Sequence, residues 1–247
     1  MKSRRFVKHG RFVKHRRFVK HRRFECKTIR NLSGNNTVWI IRSKNRREMK
    51  MKHNKKGDCE TESKKIAVLF PGIGYTCDKP LLYYTGKLCR EKGYKVVPVP
   101  YGNFPKNVKG DASKMKQAFL SAADQAEEIL KETEWTACEE IVFVGKSIGT
   151  AAAAGYAKNH SLSVRNILFT PLEETFHYTI DEGIAFHGTS DPWADTDEIR
   201  TACEKQDIPL FLTEHANHSL ETGNVETDIK ILQDTIERVR RFIMRQE

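Results

Sequence analysis

Three residue types in this chain could act together as a nucleophile, its base and the base's carboxylate. Ser147 lies in Gly145-Lys146-Ser147-Ile148-Gly149, between the apolar run Ile141–Val144 and the small-residue run Thr150–Gly155. A serine hydroxyl is a poor nucleophile until a base takes its proton. Histidine is the usual base, and an aspartate holding its second ring nitrogen fixes the tautomer and stabilises the imidazolium. Downstream, Asp191 stands in Gly188-Thr189-Ser190-Asp191-Pro192-Trp193, and His218 in His215-Ala216-Asn217-His218-Ser219-Leu220. His215 competes with His218 for the base, and His-x-x-His also looks metal-like, but no carboxylate is placed with it. Glycines two before and two after the serine suit a turn so tight that side chains there would collide. A glycine-rich turn could instead cradle a phosphate, but the longer glycine spacing and terminal Lys-Ser/Thr of a P-loop are missing.

Positioning such groups takes a frame, and the pattern supplies one. The continuous apolar run at 66–70 suits a strand covered on both faces, and 94–99, 141–145, 164–169, 183–187 and 209–212 read as further strands. Between them lie helical stretches at 81–92, 112–133, 148–159, after Trp193 to 206, and 226–244. Met115, Ala118, Phe119, Ala122, Ala126, Ile129 and Leu130 form a core stripe on the second. Val225, Ile229, Leu232, Ile236, Val239 and Ile243 form the expected buried face of the last. Strands alternating with helices predict a three-layer α/β/α fold around a mostly parallel six-stranded sheet with right-handed crossovers. Chemistry in such sheets gathers beyond the carboxyl ends of the strands. Residues 71–75, Ser147, Asp191 and His218 all follow strands.

The order Ser…Asp…His, each just after a strand, resembles the α/β-hydrolase superfamily, over residues 66–247. It is similar to the small, lidless bacterial serine hydrolases of the dienelactone-hydrolase-like kind. Gly188-Thr189-x-Asp191-Pro192 echoes the family's acid loop and Asn217-His218-Ser219 its histidine loop. Pro71-Gly72-Ile73-Gly74 is similar to the family's His-Gly-x-Gly oxyanion turn, with Pro in place of His. The resemblance implies strand order 2-1-3-4-5-6 and little room for a lid in residues 170–182. It also implies an oxyanion hole made of the Ile73 and Ile148 N–H groups, and Glu173 as an alternative acid position. Asp195 reads better as a helix N-cap than as the acid. Lys146 and Tyr75 flank the proposed cleft, Lys146 as solvated surface.

Charge is distributed unevenly. Residues 1–65 hold 23 of the 43 Lys+Arg and 5 of the 32 Asp+Glu, so the remainder is acidic and the formal net charge of +11 describes the N-terminal arm. Within residues 1–63, Arg-Phe-Val-Lys-His-x recurs at 5–10, 11–16 and 17–22. No helical or strand phase gives this repeat an apolar face that could bury a core. It reads as a disordered low-complexity arm, with nucleic acid as a partner only through residues 1–30. A chain beginning at Met51 is expected to fold and act like the whole. The six cysteines show no Cys-x-x-Cys, which argues against a disulfide framework or zinc site and suits a reducing cytoplasm. No apolar run is long enough to span a membrane.

The expected function is hydrolysis of a small ester or thioester through an acyl-enzyme, with Ser147, His218 and Asp191 as the triad. The expected partner is a small acyl substrate, with a homodimer as the assembly considered and no cofactor, metal or membrane. A non-catalytic binding module of the same fold is the rival reading.

Overall fold

Strands with no solvent face must be apolar throughout, and each such strand here is covered on both sides by helices. A computed structural model describes residues 24–30, 37–43 and 64–245. The chain divides into two units, Met1–Cys59 and Glu60–Glu247. In the first, β1 (Phe24–Arg30) and β2 (Thr37–Ser43) pair antiparallel, from Phe24 opposite Ser43 to Arg30 opposite Thr37. The sequence reading placed no strand there. Cation density and the repeat dominate the segment, yet Val38-Trp39-Ile40-Ile41 is made of types that fit a pleated surface. The repeat at 5–22 lies outside the described residues.

The second unit is built on β3 (Lys65–Phe70), β4 (Lys95–Pro98), β5 (Glu140–Lys146), β6 (Arg165–Phe169), β7 (Glu182–Gly188) and β8 (Leu210–Thr213). They form one parallel sheet in the order β4-β3-β5-β6-β7-β8, the order that the resemblance implies. The helices are α1 (Pro80–Glu91), α2 (Ala112–Leu130), α3 (Ile148–Asn159), α4 (Thr196–Lys205) and α5 (Val225–Met244). Alternation along the strands assigns the two faces. Ala67, Leu69, Val142 and Val144 pack with Leu81, Leu88, Val239 and Ile243 of α1 and α5. Ile66, Val68, Phe70 and Phe143 pack with Ala122, Ala126, Ala152 and Tyr156 of α2 and α3. Ile199 and Cys203 bring α4 onto the same side of the sheet, against Leu168 and Ala185. Phe70 and Phe143 are fully buried, and truncating either to Ala would cost about 3–5 kcal/mol.

Two expected core faces are narrower than the sequence pattern. On α2 the ridge Ala118, Ala122, Ala126, Leu130 is fully buried, while Ile129 is exposed. Strict four-residue spacing seats the helix on that ridge, and Ile129 lies one position, about 100°, off it. On α5, Val225 is 71% and Ile229 60% exposed. There they line an open groove with Leu81 and Leu220, and the helix joins the sheet core only from Ile231 onward. Between β6 and β7, residues 170–181 carry only a short 3-10 turn, Glu173–His177.

Candidate active site

At the carboxyl end of β5 the chain reverses into α3 through Ser147, whose backbone takes φ 56°, ψ −127°. That conformation is costly for a residue with a side chain and persists only where surroundings impose it. The surroundings here are backbone. A Cβ on Gly145 would stand 2.6 Å from Thr150 Cα, and one on Gly149 only 2.1 Å from the Phe70 carbonyl oxygen. Only glycine allows β5, α3 and the end of β3 to approach this closely. The Ser147 N–H donates to Phe169 O at 3.0 Å, tying the turn to β6.

Two further loops bring their side chains to this turn. After β7, the Asp191 N–H donates to Gly188 O at 3.0 Å, and Asp191 Oδ1 accepts from Trp193 N–H at 2.9 Å. After β8, Asn217 Oδ1 accepts from Ser219 N–H at 2.7 Å, and Thr170 Oγ1 donates to His218 O at 3.1 Å. The two loops are joined by Ser190 N–H donating to Ala216 O at 3.0 Å. His218 then bridges the site: Nδ1 is 2.7 Å from Asp191 Oδ2 and Nε2 is 2.7 Å from Ser147 Oγ. Trp193 stacks on the imidazole at 5.4 Å between ring centroids. The Asp191 side chain is wholly buried, and that of His218 is 17% exposed.

The environment sets the charges. Burial would raise the Asp191 carboxyl, but the His218 hydrogen bond and charge, with the Trp193 N–H, hold it below its ordinary value. An ionised Asp191 accepts a hydrogen bond from Nδ1–H, leaving Nε2 to accept one from the Ser147 hydroxyl. Burial pushes His218 down, the Asp191 hydrogen bond opposes this, and the nearby Lys146 charge adds to the lowering. The imidazole is therefore neutral at neutral pH. Ile73 sits in a turn closed by Gly72 N–H to Tyr75 O (3.0 Å) and Tyr75 N–H to Gly72 O (3.2 Å), with Tyr101 Oη donating to Pro71 O at 2.6 Å. Ile148 is the first residue of α3, so its N–H has no acceptor within the helix.

The other sequence candidates lie elsewhere. His215 is exposed, its N–H held by Thr189 Oγ1 at 2.9 Å. Asp195 caps α4, accepting from Asp197 N–H and Glu198 N–H. Glu173 is exposed and hydrogen-bonds Glu198, a like-charged partner that pushes it up to about 7. Lys146 corrects the reading as solvated surface: it is 1% exposed, with Nζ 5.0 Å from the centre of the Tyr75 ring. The available signal was its place at the end of a strand covered on both faces, where no position faces water. Trp193 and the fully buried His187 were read as a loop residue and a strand end; contact with residues distant in sequence gives them their place. No group of three or more His, Cys, Asp or Glu among the described residues could hold a metal ion. No helix among them is long and apolar enough to cross a membrane.

No protein-family profile matches the chain, and no curated protein does. Solved structures are similar. An esterase from Pyrococcus furiosus, Pf2001, superposes with a TM-score of 0.53 at 14% identity, over 91% of this chain and 93% of its own. Est1E from Butyrivibrio proteoclasticus, with ferulic acid bound, gives 0.52 at 10% identity over 76% and 92%. An alpha-beta serine hydrolase homologue from Coxiella burnetii gives 0.50 at 16% identity over 69% and 85%. With the sheet order and the strand–turn–helix at Ser147, these likenesses mean that the chain has the α/β-hydrolase fold.

Proposed function

We propose that the protein is a serine hydrolase that cleaves a small ester or thioester through an acyl-enzyme. The observation that carries this reading is the unbroken relay from Ser147 Oγ through the His218 ring to Asp191, 2.7 Å at each step. His218 Nε2 takes the Ser147 proton as Oγ attacks the substrate carbonyl carbon. The carbonyl π electrons move onto oxygen, and the Ile148 and Ile73 N–H groups are assigned to receive that oxyanion. Each such donor is worth about 3 kcal/mol of barrier. As the tetrahedral intermediate collapses, the bond to the leaving group breaks and the His218 imidazolium returns its proton to it. Water, deprotonated by the same imidazole, then attacks the acyl carbonyl carbon; the bond to Ser147 Oγ breaks, the carboxylic acid leaves and the imidazolium returns the proton to Oγ. Asp191 remains ionised throughout and stabilises each imidazolium.

Two similar structures support the ester class, one named an esterase and one holding ferulic acid. The short 170–182 connection supports an open cleft and short or polar acyl groups. The test is a fluorophosphonate probe combined with a panel of acyl p-nitrophenyl esters and acyl thioesters. Labelling confined to Ser147, with turnover of short acyl esters, is the expected result. Folded protein that neither labels nor turns over would favour a binding module.

A further inference from the structure

A lysine whose whole side chain is withdrawn from water, one residue before the nucleophile, calls for a reason. Burying an ammonium costs several kcal/mol even after relaxation, and a hydrophobic residue of similar size would avoid that. Lys146 is 1% exposed, and its ammonium sits over the ring of Tyr75 rather than against a carboxylate, Nζ to centroid 5.0 Å. The ring is itself fixed, since Tyr75 Oη accepts from Leu81 N–H at 3.0 Å. Gly72 packs on the stem: a Cβ there would lie 3.6 Å from Lys146 Cγ and 3.2 Å from Ser147 Cβ. The charge is therefore held beneath the 71–75 turn, where Gly72 packs on both the Lys146 stem and the Ser147 side chain.

We propose that Lys146 is a positioning residue for this relay. Its buried ammonium is a counter-charge to Asp191, and it resists a second positive charge on His218. The imidazole therefore stays deprotonated, ready to take the Ser147 proton, at lower pH than an uncharged neighbour would allow. The kinetic consequence rests on the hydrolase reading; the coupling itself does not.

The charged groups around His218 act in opposite senses. Asp191 contacts it directly and favours the imidazolium. Lys146, from the end of β5, and His187, on β7, disfavour it. His187 is fully buried, has no hydrogen-bond partner among the described residues on either ring nitrogen, and its Nδ1 lies 3.8 Å from Asp191 Oδ2. Burial lowers it below its ordinary value while Asp191 and Asp195 oppose, so it remains a neutral neighbour at neutral pH. Lys109 stands farther out, 5.9 Å over the Trp193 ring, and Glu221 acts on Tyr75. Burial pushes Lys146 itself down to about 7, with Asp191 pulling the other way. It is thus substantially charged in the range where His218 gains its proton.

The test follows the His218 ring resonances of the full chain against pH by NMR, in wild type and Lys146→Met. Removing the charge should raise the His218 midpoint by about half to one unit. The wild-type ring should also show a second inflection as Lys146 titrates, absent from the variant. Lys146→Arg should retain the wild-type midpoint, and the acid limb of kcat/KM on a neutral ester should track the NMR midpoint in each protein. A Lys146→Met protein that melts cooperatively with an unmoved His218 midpoint would overturn the proposal, leaving Lys146 a mere filler. Should Lys146→Met not fold, the wild type decides: no second inflection between about pH 5 and 10 would equally overturn it. A shifted midpoint in a protein with no hydrolysis would sink the hydrolase reading and leave the coupling intact.

Discussion

The turn at Ser147 and the loop that carries His218 meet at 2.7 Å, yet they are held by opposite means. The turn is held by what is missing. At Gly145 and Gly149 backbone occupies the space a side chain would need, as close as 2.1 Å at Gly149. The histidine loop is held by what is present. Asn217 Oδ1 accepts two backbone N–H groups, from Ser219 at 2.7 Å and Glu221 at 3.3 Å, and Thr170 pins the His218 carbonyl. Steric exclusion is all-or-none, because backbone cannot give way without moving strands. Side-chain hydrogen bonds are graded, each contributing on the order of 1 kcal/mol net. Errors in the turn should therefore appear as loss of fold, and errors in the loop as misplacement of the His218 ring in a folded protein.

The largest effect should come from Ser147→Ala. It removes one oxygen and little volume, so the melt should stay close to wild type while kcat falls by about 10³–10⁶-fold. Ester turnover within a few-fold of wild type would remove Ser147 from the mechanism. Next is Gly149→Val, which sets a β-branched side chain against the Phe70 carbonyl. We expect a loss of about 4 kcal/mol or more, or no soluble folded protein, by denaturant titration. A near-wild-type midpoint would show that the turn yields, contrary to the comparison. Asn217→Ala should cost about 1–2 kcal/mol in stability and about 10–100-fold in kcat, because the base shifts on a loosened loop. Equal losses at both glycines and at Asn217 would erase the distinction between the two regions. Smallest is His215→Ala: an exposed side chain outside the relay should change kcat/KM by less than about threefold and stability by less than about 0.5 kcal/mol. A large kinetic loss there would transfer the base role away from His218.

The same contrast explains what could be read without coordinates. The turn is a local object: five consecutive residues with an apolar run before and alanines after state its sterics in full. The parallel sheet was equally legible from alternating apolar runs and helices, while its strand order came from the resemblance to the α/β-hydrolases. The relay residues were legible through their places just after strands. Lys146 was misread because a cation taken alone suggests solvent, and only the turn at 71–75 closing over it reverses that. Val225 and Ile229 were misread for a related reason. Periodicity shows that a helix has an apolar face, but how far that face lies on the sheet depends on where the helix begins relative to the sheet edge.

Local sterics and alternation, present in the sequence alone, determined the sheet, the turn and the residue types that could form a relay. Tertiary structure decided the distances, since residues 147, 191 and 218 converge only when the carboxyl ends of β5, β7 and β8 lie in register along one side of the sheet. It also decided burial, and with it charge. Desolvation depends on every atom around a group, so a lysine near pH 7 and a lowered histidine beside it become properties of the folded protein and not of the residues themselves.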